Sequence, residues 1–276
     1  MTDAIDDVRD HYRATGLTER LKSALATALG PEDQPILPQQ LSALDQFHTR
    51  GLAATAELAE LTGITAGMSA LDVGSGLGGP ARFLAASYGC RVTGIDLSDS
   101  FVDAARYLTR RTGQSEQVSF QAASALELPF DDGHFDVALL QHVAMNISDR
   151  ARLYREIRRV LKPRGRFATF DIVTVGGEPH YPVPWAPTPA TSFLLSAEAT
   201  REMIEQAGFR VLTWRDDTET AKAWFKQLRE SGPPPLLNLG VVMGPDFAKL
   251  AANLGRNLME GRLGVLTAVF ETASNN

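Results

Sequence analysis

Two acidic residues and a glycine-rich segment stand at a spacing that suits nucleoside binding. Asp72 follows a short apolar run and precedes Gly74 and Gly76, after which a helical pattern begins. Glycine allows a sharp turn that brings backbone N–H groups close to a ligand. Asp96 ends the next apolar run, 24 residues after Asp72 (96 − 72). A carboxylate there can accept hydrogen bonds from ribose hydroxyls, so the pattern predicts a nucleoside cofactor.

The same loop is compatible with a second class of protein, the dinucleotide oxidoreductases. Their G-x-G-x-x-G fingerprint requires a glycine at position 79 when counted from Gly74, and Gly79 is present. The loop alone therefore does not distinguish the two classes, and the later strands have to decide.

Short apolar runs alternate with helical segments from residue 66 onward. This alternation favours a parallel sheet built from βαβ units. The predicted strands are 69–73, 91–95, 117–121, 135–140, 165–173, 209–215 and 263–271.

The chain divides into a helical arm and a larger α/β region. Residues 1–62 carry helical periodicity without a strand signal, and within them 41–61 is predicted as one continuous helical segment. We interpret 1–62 as an N-terminal helical cap and 63–276 as the cofactor-binding domain. The insertions 174–195 and 218–262 are predicted to emerge at the carboxyl ends of strands as lids, on the side where open α/β sheets bind ligands.

Composition indicates an ordinary globular protein of 276 residues, with 44% hydrophobic and 22% charged residues. A net charge of −6 argues against a general nucleic-acid binder. No stretch approaches the roughly 18 apolar residues of a membrane span, and the acidic start lacks an apolar signal core. One cysteine and five scattered histidines predict no metal site. We expect a cytoplasmic protein with a small-molecule partner, compatible with a homo-oligomer.

The acid, the G-x-G turn and the second acid resemble the class I S-adenosylmethionine-dependent methyltransferases. The segment R-V-L-K-P at 159–163 is common in that family and rare in nicotinamide enzymes, which decides between the two classes. The resemblance implies a Rossmann-like, doubly wound α/β fold with a seven-stranded, mostly parallel sheet and a helical insertion before the last strand. That last strand would lie beside the fifth. The implied cofactor is S-adenosyl-L-methionine, with S-adenosyl-L-homocysteine as its product.

Three further segments narrow the resemblance to a small-molecule group. D-Q-F-H at 45–48, G-L-G-G-P-A-R at 76–82 and Q-H-V-A-M-N-I at 141–147 are similar to the sarcosine/dimethylglycine N-methyltransferase-like enzymes. This implies methyl transfer to a small molecule, an amine before other acceptors. An O- or C-methyltransferase, a methyltransferase-fold cyclase and a non-catalytic S-adenosylmethionine-binding protein stay open as alternatives.

The resemblance places His142 beside the methyl-transfer site after the fourth strand. An imidazole titrates near neutrality and can take a proton from an amine or a hydroxyl, so His142 is the expected general base. The alternative is a histidine that only satisfies backbone groups at a strand end. Tyr12, on the first helix, is expected to close over the cofactor near this histidine. His48 is expected to contact the methionine carboxylate, with an exposed helix histidine as the alternative.

The remaining site residues follow from the same motifs. Ser124 stands where the family most often has an acid beside adenine, so it would accept that hydrogen bond without charge assistance. Aromatic residues in the two lids could form a cage for a cationic amine, although for any one of them packing in the lid is the better interpretation. The expected cofactor-binding residues are His48, Asp72, Gly74, Ser75, Gly76, Asp96, Leu97, Ser124, Ala125, Leu126 and Gln141, and the expected substrate-binding residues are Trp185, Phe193 and Trp224.

Overall fold

A single seven-stranded sheet organises the computed structural model, which describes residues 15–273. The strand order is β3-β2-β1-β4-β5-β7-β6, and only β7 runs antiparallel to its neighbours. The predicted α/β fold is confirmed, including the last strand beside the fifth. The strands are β1 (Ser69–Val73), β2 (Arg91–Asp96), β3 (Val118–Ala122), β4 (Phe135–Gln141), β5 (Leu161–Thr174), β6 (Phe209–Asp216) and β7 (Leu263–Thr272).

Helices connect and cover these strands. Short 3₁₀ turns occupy Pro38–Leu41, Ala144–Asn146 and Pro189–Thr191. The α-helices are α1 (Leu17–Leu29), α2 (Ser42–Asp45), α3 (Leu52–Thr62), α4 (Gly79–Tyr88), α5 (Asp99–Arg111), α6 (Arg150–Val160), α7 (Ala197–Gln206), α8 (Thr218–Glu230), α9 (Gly240–Met243) and α10 (Phe247–Met259).

Alternation along the central strands builds a separate core on each face of the sheet. In β4, Val137 and Leu139 belong to one core, and Ala138 and Leu140 belong to the other. All four side chains are buried, because helices cover both faces. The central strands are therefore rigid supports, and their carboxyl ends stand at one edge of the sheet.

A third core joins the N-terminal arm to the second insertion. Leu21 and Leu25 of α1 pack in it with Leu108 of α5 and with Val242 of α9. Helix α3 belongs elsewhere, because its Leu58 lies in one of the two sheet cores. The division of the chain at residue 62 stays a prediction.

The prediction of one continuous helix over 41–61 was wrong. Helix α2 ends at Asp45 and α3 begins at Leu52, which leaves 46–51 as a non-helical loop. Arg50 (φ 64°) and Gly51 (φ 50°) both have left-handed φ values, which the interior of a right-handed helix does not allow. We call residues 46–51 the polar loop.

A buried ion pair anchors the chain just before the polar loop. Arg82 of α4 donates to Asp45 Oδ2 at 2.7 Å and to Thr109 Oγ1 at 3.1 Å, and the Arg82 side chain is fully buried. Burial raises the pKa of Asp45 to about 6, although the neighbouring Arg82 cation opposes that shift. The pair thus fixes α2 against the helix that follows the glycine turn.

Removing the buried cation should destabilise the protein far more than removing an exposed one. We expect Arg82→Met to lower the free energy of unfolding at pH 7 by about 3 kcal/mol, because Asp45 is left buried and unpaired. Arg152→Met is the matched control, since Arg152 makes an exposed pair with Glu127 at 3.7 Å; the expected cost is below about 0.5 kcal/mol. Denaturant titration measures both, and equal costs would contradict the anchoring role.

Candidate active site

The turn after β1 is bonded to the end of β2. The backbone N–H groups of Gly74 and Ser75 donate to the Ile95 carbonyl at 2.9 and 2.8 Å. Asp96 Oδ2 accepts from the Gly76 N–H at 2.9 Å. The structure thus brings the two predicted motifs together at the carboxyl edge of the sheet.

Several buried polar atoms at this edge have no hydrogen-bond partner within residues 15–273. They are Asp72 Oδ2, Ser75 Oγ and Gln141 Oε1. Burial raises the pKa of Asp72 to about 7, and the nearby Asp96 carboxylate adds to that shift. Unpaired buried acceptors are costly, so they favour a ligand that brings N–H and O–H donors. The amino group and ribose hydroxyls of S-adenosylmethionine fit that requirement.

The turn after β3 lies beside the same carboxylate. The Ala123 N–H donates to the Asp96 carbonyl at 2.9 Å. The Ser124 hydroxyl accepts from the Leu126 N–H at 3.2 Å, so it stabilises its own turn. The predicted adenine contacts of Ser124, Ala125 and Leu126, and the predicted contact of Leu97 next to Asp96, stay predictions.

A buried polar cluster joins the polar loop to the end of β4. His48 Nε2 lies 3.1 Å from Gln141 Nε2, 3.1 Å from Gln46 Oε1 and 3.1 Å from Thr55 Oγ1. His48 Nδ1 lies 3.3 Å from the Thr49 carbonyl. The Thr49 carbonyl at Nδ1 and Gln46 Oε1 at Nε2 both only accept, so a neutral ring donates to one of these two oxygens; with the hydrogen on Nδ1, Nε2 accepts from Gln141. His48 is 5% exposed and belongs to no helix, so the alternative of an exposed helix histidine was wrong.

His142 follows Gln141 in a left-handed conformation (φ 53°) that is uncommon outside glycine. Its N–H donates to the Phe170 carbonyl at 2.8 Å, and its ring stacks on the Phe170 ring at 5.2 Å. Its Nε2 lies 3.4 Å from Thr49 Oγ1. Such conformations cluster at functional sites.

The surroundings of the buried His48 and of the half-buried His142 favour the neutral form of both imidazoles. Burial lowers the pKa of His48 to about 4, against the opposing Thr49 carbonyl, and lowers that of His142 well below its usual range. The His48 ring, 6.0 Å away, adds to the shift of His142. A neutral imidazole can accept a proton, so this arrangement suits a general base.

The predicted aromatic residues occupy different environments. Trp185 is 2% exposed in a sheet core, and its Nε1–H donates to Ser192 Oγ at 2.9 Å. Phe193 and Trp224 are only partly buried, and Trp224 packs on Phe225 of α8. Their substrate roles stay predictions, and Tyr12 lies outside the described residues.

Sequence reasoning missed Thr49 and Thr55. The available signal was Gly51, because a glycine inside a helical pattern lowers the confidence that the helix continues there. Within residues 15–273, no group of three or more His, Cys, Asp or Glu side chains could hold a metal ion. The helices of that range are likewise too short or too polar to cross a membrane.

The neutral state of His48 predicts how stability depends on pH. Its folded pKa of about 4 lies below the unfolded value of about 6.5, so its contribution is complete above pH 6.5 and is lost as pH falls toward 4. The difference in unfolding free energy between wild type and His48→Gln should therefore shrink by up to about 3 kcal/mol over that range. Denaturant titrations at several pH values measure it. A difference independent of pH would mean that His48 is not buried neutral.

Comparison with known proteins finds one matching family and several relatives. The family described as "Methyltransferase domain" matches residues 71–169. The "O-methyltransferase resE" of Aspergillus sclerotiorum is 31% identical over 208 residues, which cover 72% of this chain and 75% of that protein. The "Methyltransferase GfsG" of Streptomyces halstedii is 38% identical over 135 residues, which cover 49% of this chain and 49% of that protein.

A solved structure resembles nearly the whole chain. The "[4+2]-Cyclase SpnF" superposes with a TM-score of 0.67 and 25% identity, covering 94% of this chain and 93% of that one. Proteins named sterol 24-C-methyltransferase (Eremothecium gossypii) and sarcosine/dimethylglycine N-methyltransferase (Halorhodospira halochloris) also match parts of the chain. The named reactions of these relatives thus differ.

Proposed function

Because the chain belongs to the class I S-adenosylmethionine-dependent methyltransferases, we propose that it methylates a hydroxyl group of a small, uncharged molecule. S-adenosylmethionine, when bound, supplies a methyl group on a sulfonium, which transfers by in-line displacement. Asp72 and Gln141 would hold it through their buried, unpaired oxygens, and Asp96 through the carboxylate that already accepts from the Gly76 and Ser98 N–H groups.

The observation that carries this proposal is the position of the His142 imidazole, which follows the end of β4, stacks on the Phe170 ring and has its Nε2 3.4 Å from Thr49 Oγ1. A hydroxyl is a weak nucleophile while it keeps its proton, so removal of that proton during attack lowers the barrier. The neutral imidazole of His142 has a lone pair that can accept this proton; its lowered pKa keeps the lone pair available at neutral pH but makes the imidazole a weaker base. The stacked Phe170 ring holds the imidazole plane in place.

The surroundings of His142 favour an oxygen atom as the methyl acceptor over the amine nitrogen that the sequence predicts. A cationic amine requires a free carboxylate or an aromatic cage. Asp171 accepts from the Ala144 and Ile172 N–H groups, both at 2.9 Å, and Trp185 is packed in the core. The cluster around His48 is built of neutral polar side chains. Relatives named O-methyltransferases agree with this choice.

Cyclisation is a second candidate, favoured by the likeness to a cyclase over 94% of the chain. Methyl-labelled S-adenosylmethionine and matched alcohol and amine acceptors separate the reactions. We expect label in a methyl ether and equimolar S-adenosylhomocysteine. Label only in the methylated amine would restore the original prediction. An unlabelled product of unchanged mass would indicate a cyclase, and cofactor binding without any product would indicate a non-catalytic binder.

Replacing His142 should remove most of the turnover. We expect His142→Gln to lower kcat by about 10² to 10⁴, with little change in S-adenosylhomocysteine affinity, because the residue acts on the acceptor. Wild-type kcat should stay level near neutral pH and fall only well below about pH 6.5. The variant should lack this acid limb of the pH profile.

The matched control is His134→Gln, which changes an exposed histidine just before β4, at the opposite edge of the sheet. Its turnover should equal that of wild type. A His142→Gln enzyme with unchanged turnover and pH profile on the true acceptor would remove the base from the mechanism.

Asp96 should contribute to binding of the cofactor. We expect Asp96→Ala to weaken S-adenosylhomocysteine binding by about 1.5–3 kcal/mol, the range for hydrogen bonds to a charged group. Calorimetry measures it, with Asp99→Ala, an exposed acid in the first turn of α5, as the control. NAD should not bind. Unchanged affinity in Asp96→Ala would place this carboxylate outside the cofactor site.

A further inference from the structure

The imidazole of His142 makes one side-chain hydrogen-bond contact within residues 15–273. Thr49 Oγ1 lies 3.4 Å from Nε2, and Nδ1 has no partner in that range. A neutral imidazole carries its hydrogen on one nitrogen only, so the partner of one nitrogen decides whether the other is basic. A hydroxyl that accepts from Nε2–H leaves the lone pair on Nδ1.

Thr49 has little freedom to move away from this contact. Its side chain is 3% exposed, and its carbonyl lies 3.3 Å from His48 Nδ1. The Gly51 N–H donates to the His48 carbonyl at 3.2 Å, which closes the turn around Thr49. The hydroxyl is therefore held by a structured loop and by a buried histidine.

The turn depends on Arg50, which adopts a left-handed conformation without being glycine. Its guanidinium pairs with Glu57 at 2.7 Å and lies 3.8 Å from Asp217. Arg215 bridges the same two carboxylates, at 2.7 Å to Glu57 and 2.8 Å to Asp217. We call these four residues the Arg50 cluster. The uncommon conformation is compensated by these ion pairs.

The Arg50 cluster connects the polar loop with the second insertion. Asp217 immediately precedes α8, the first helix of that insertion, and also accepts from the Thr267 hydroxyl of β7. Glu57 belongs to α3, and Arg215 to β6. Arg215 and Asp217, which lie far along the chain from the polar loop, therefore act with Glu57 of the adjacent α3 to fix the backbone that carries Thr49.

We propose that Thr49 is a positioning residue that accepts the Nε2–H of His142 and holds Nδ1 as the basic nitrogen, and that the Arg50 cluster holds Thr49 in place. This inference rests on the proposed role of His142 as general base. It gives the polar loop a part in proton transfer.

Thr49→Val tests the inference, because it removes the hydroxyl at nearly constant volume. We expect kcat to fall on the order of tenfold, the loss of one hydrogen bond of ordinary strength, with KM and S-adenosylhomocysteine affinity unchanged. The acid limb of kcat should also move to lower pH, because the imidazolium loses an acceptor for Nε2–H. Thr49→Ser should restore both the rate and the limb.

Two further variants complete the test. Thr27→Val makes the same change at an exposed position of α1 and should behave as wild type. Arg50→Met should reproduce the shift of the acid limb, because Thr49 loses its support while keeping its hydroxyl.

The outcomes separate this inference from the proposed function. If His142→Gln is inactive while Thr49→Val keeps the wild-type rate and the wild-type fall of kcat at low pH, His142 remains the general base and the role of Thr49 is overturned. If Thr49→Val loses rate without a shift of the limb, or Thr49→Ser fails to rescue it, Thr49 is merely structural and the inference is overturned. If both Thr49→Val and His142→Gln behave as wild type, the proposed function fails as well.

Discussion

The contact between Gln141 and His48 is the interaction on which the site depends. It joins the last residue of β4 to the polar loop, 93 residues away in sequence, and it lies in a buried cluster. Because Gln141 precedes His142 directly, the same contact places that imidazole beside Thr49. In the proposed mechanism the helical arm takes part in the chemistry, because its polar loop supplies the residues that contact Gln141 and His142.

Burial shifts the acids and the histidines of this site in opposite directions. It raises the pKa of Asp72 to about 7 and lowers that of His48 to about 4, since the charged form of either group is disfavoured when water is excluded. The site therefore holds mainly neutral groups near neutral pH. Such a site suits an uncharged acceptor.

The sheet and the cofactor edge could be predicted because their signals are local. Alternating apolar runs and two acids after successive strands need no tertiary information. The polar loop could not be predicted, because Arg50 keeps its left-handed conformation through pairs with Glu57 and Asp217, and Asp217 lies far along the chain. Trp185 shows a second limit of sequence-based prediction. The sequence does not distinguish an aromatic residue that lines a site from one that is buried in a core, and Trp185 is buried.

The protonation state of His142 is the most direct test of this account. Nuclear magnetic resonance of imidazole-labelled protein, with S-adenosylhomocysteine bound, gives the pKa and the tautomer of each histidine. The account predicts that His142 and His48 are neutral at pH 6.5, with the hydrogen of His142 on Nε2 and that of His48 on Nδ1. A His142 that titrates near the free value of about 6.5, or that carries its hydrogen on Nδ1, would contradict it.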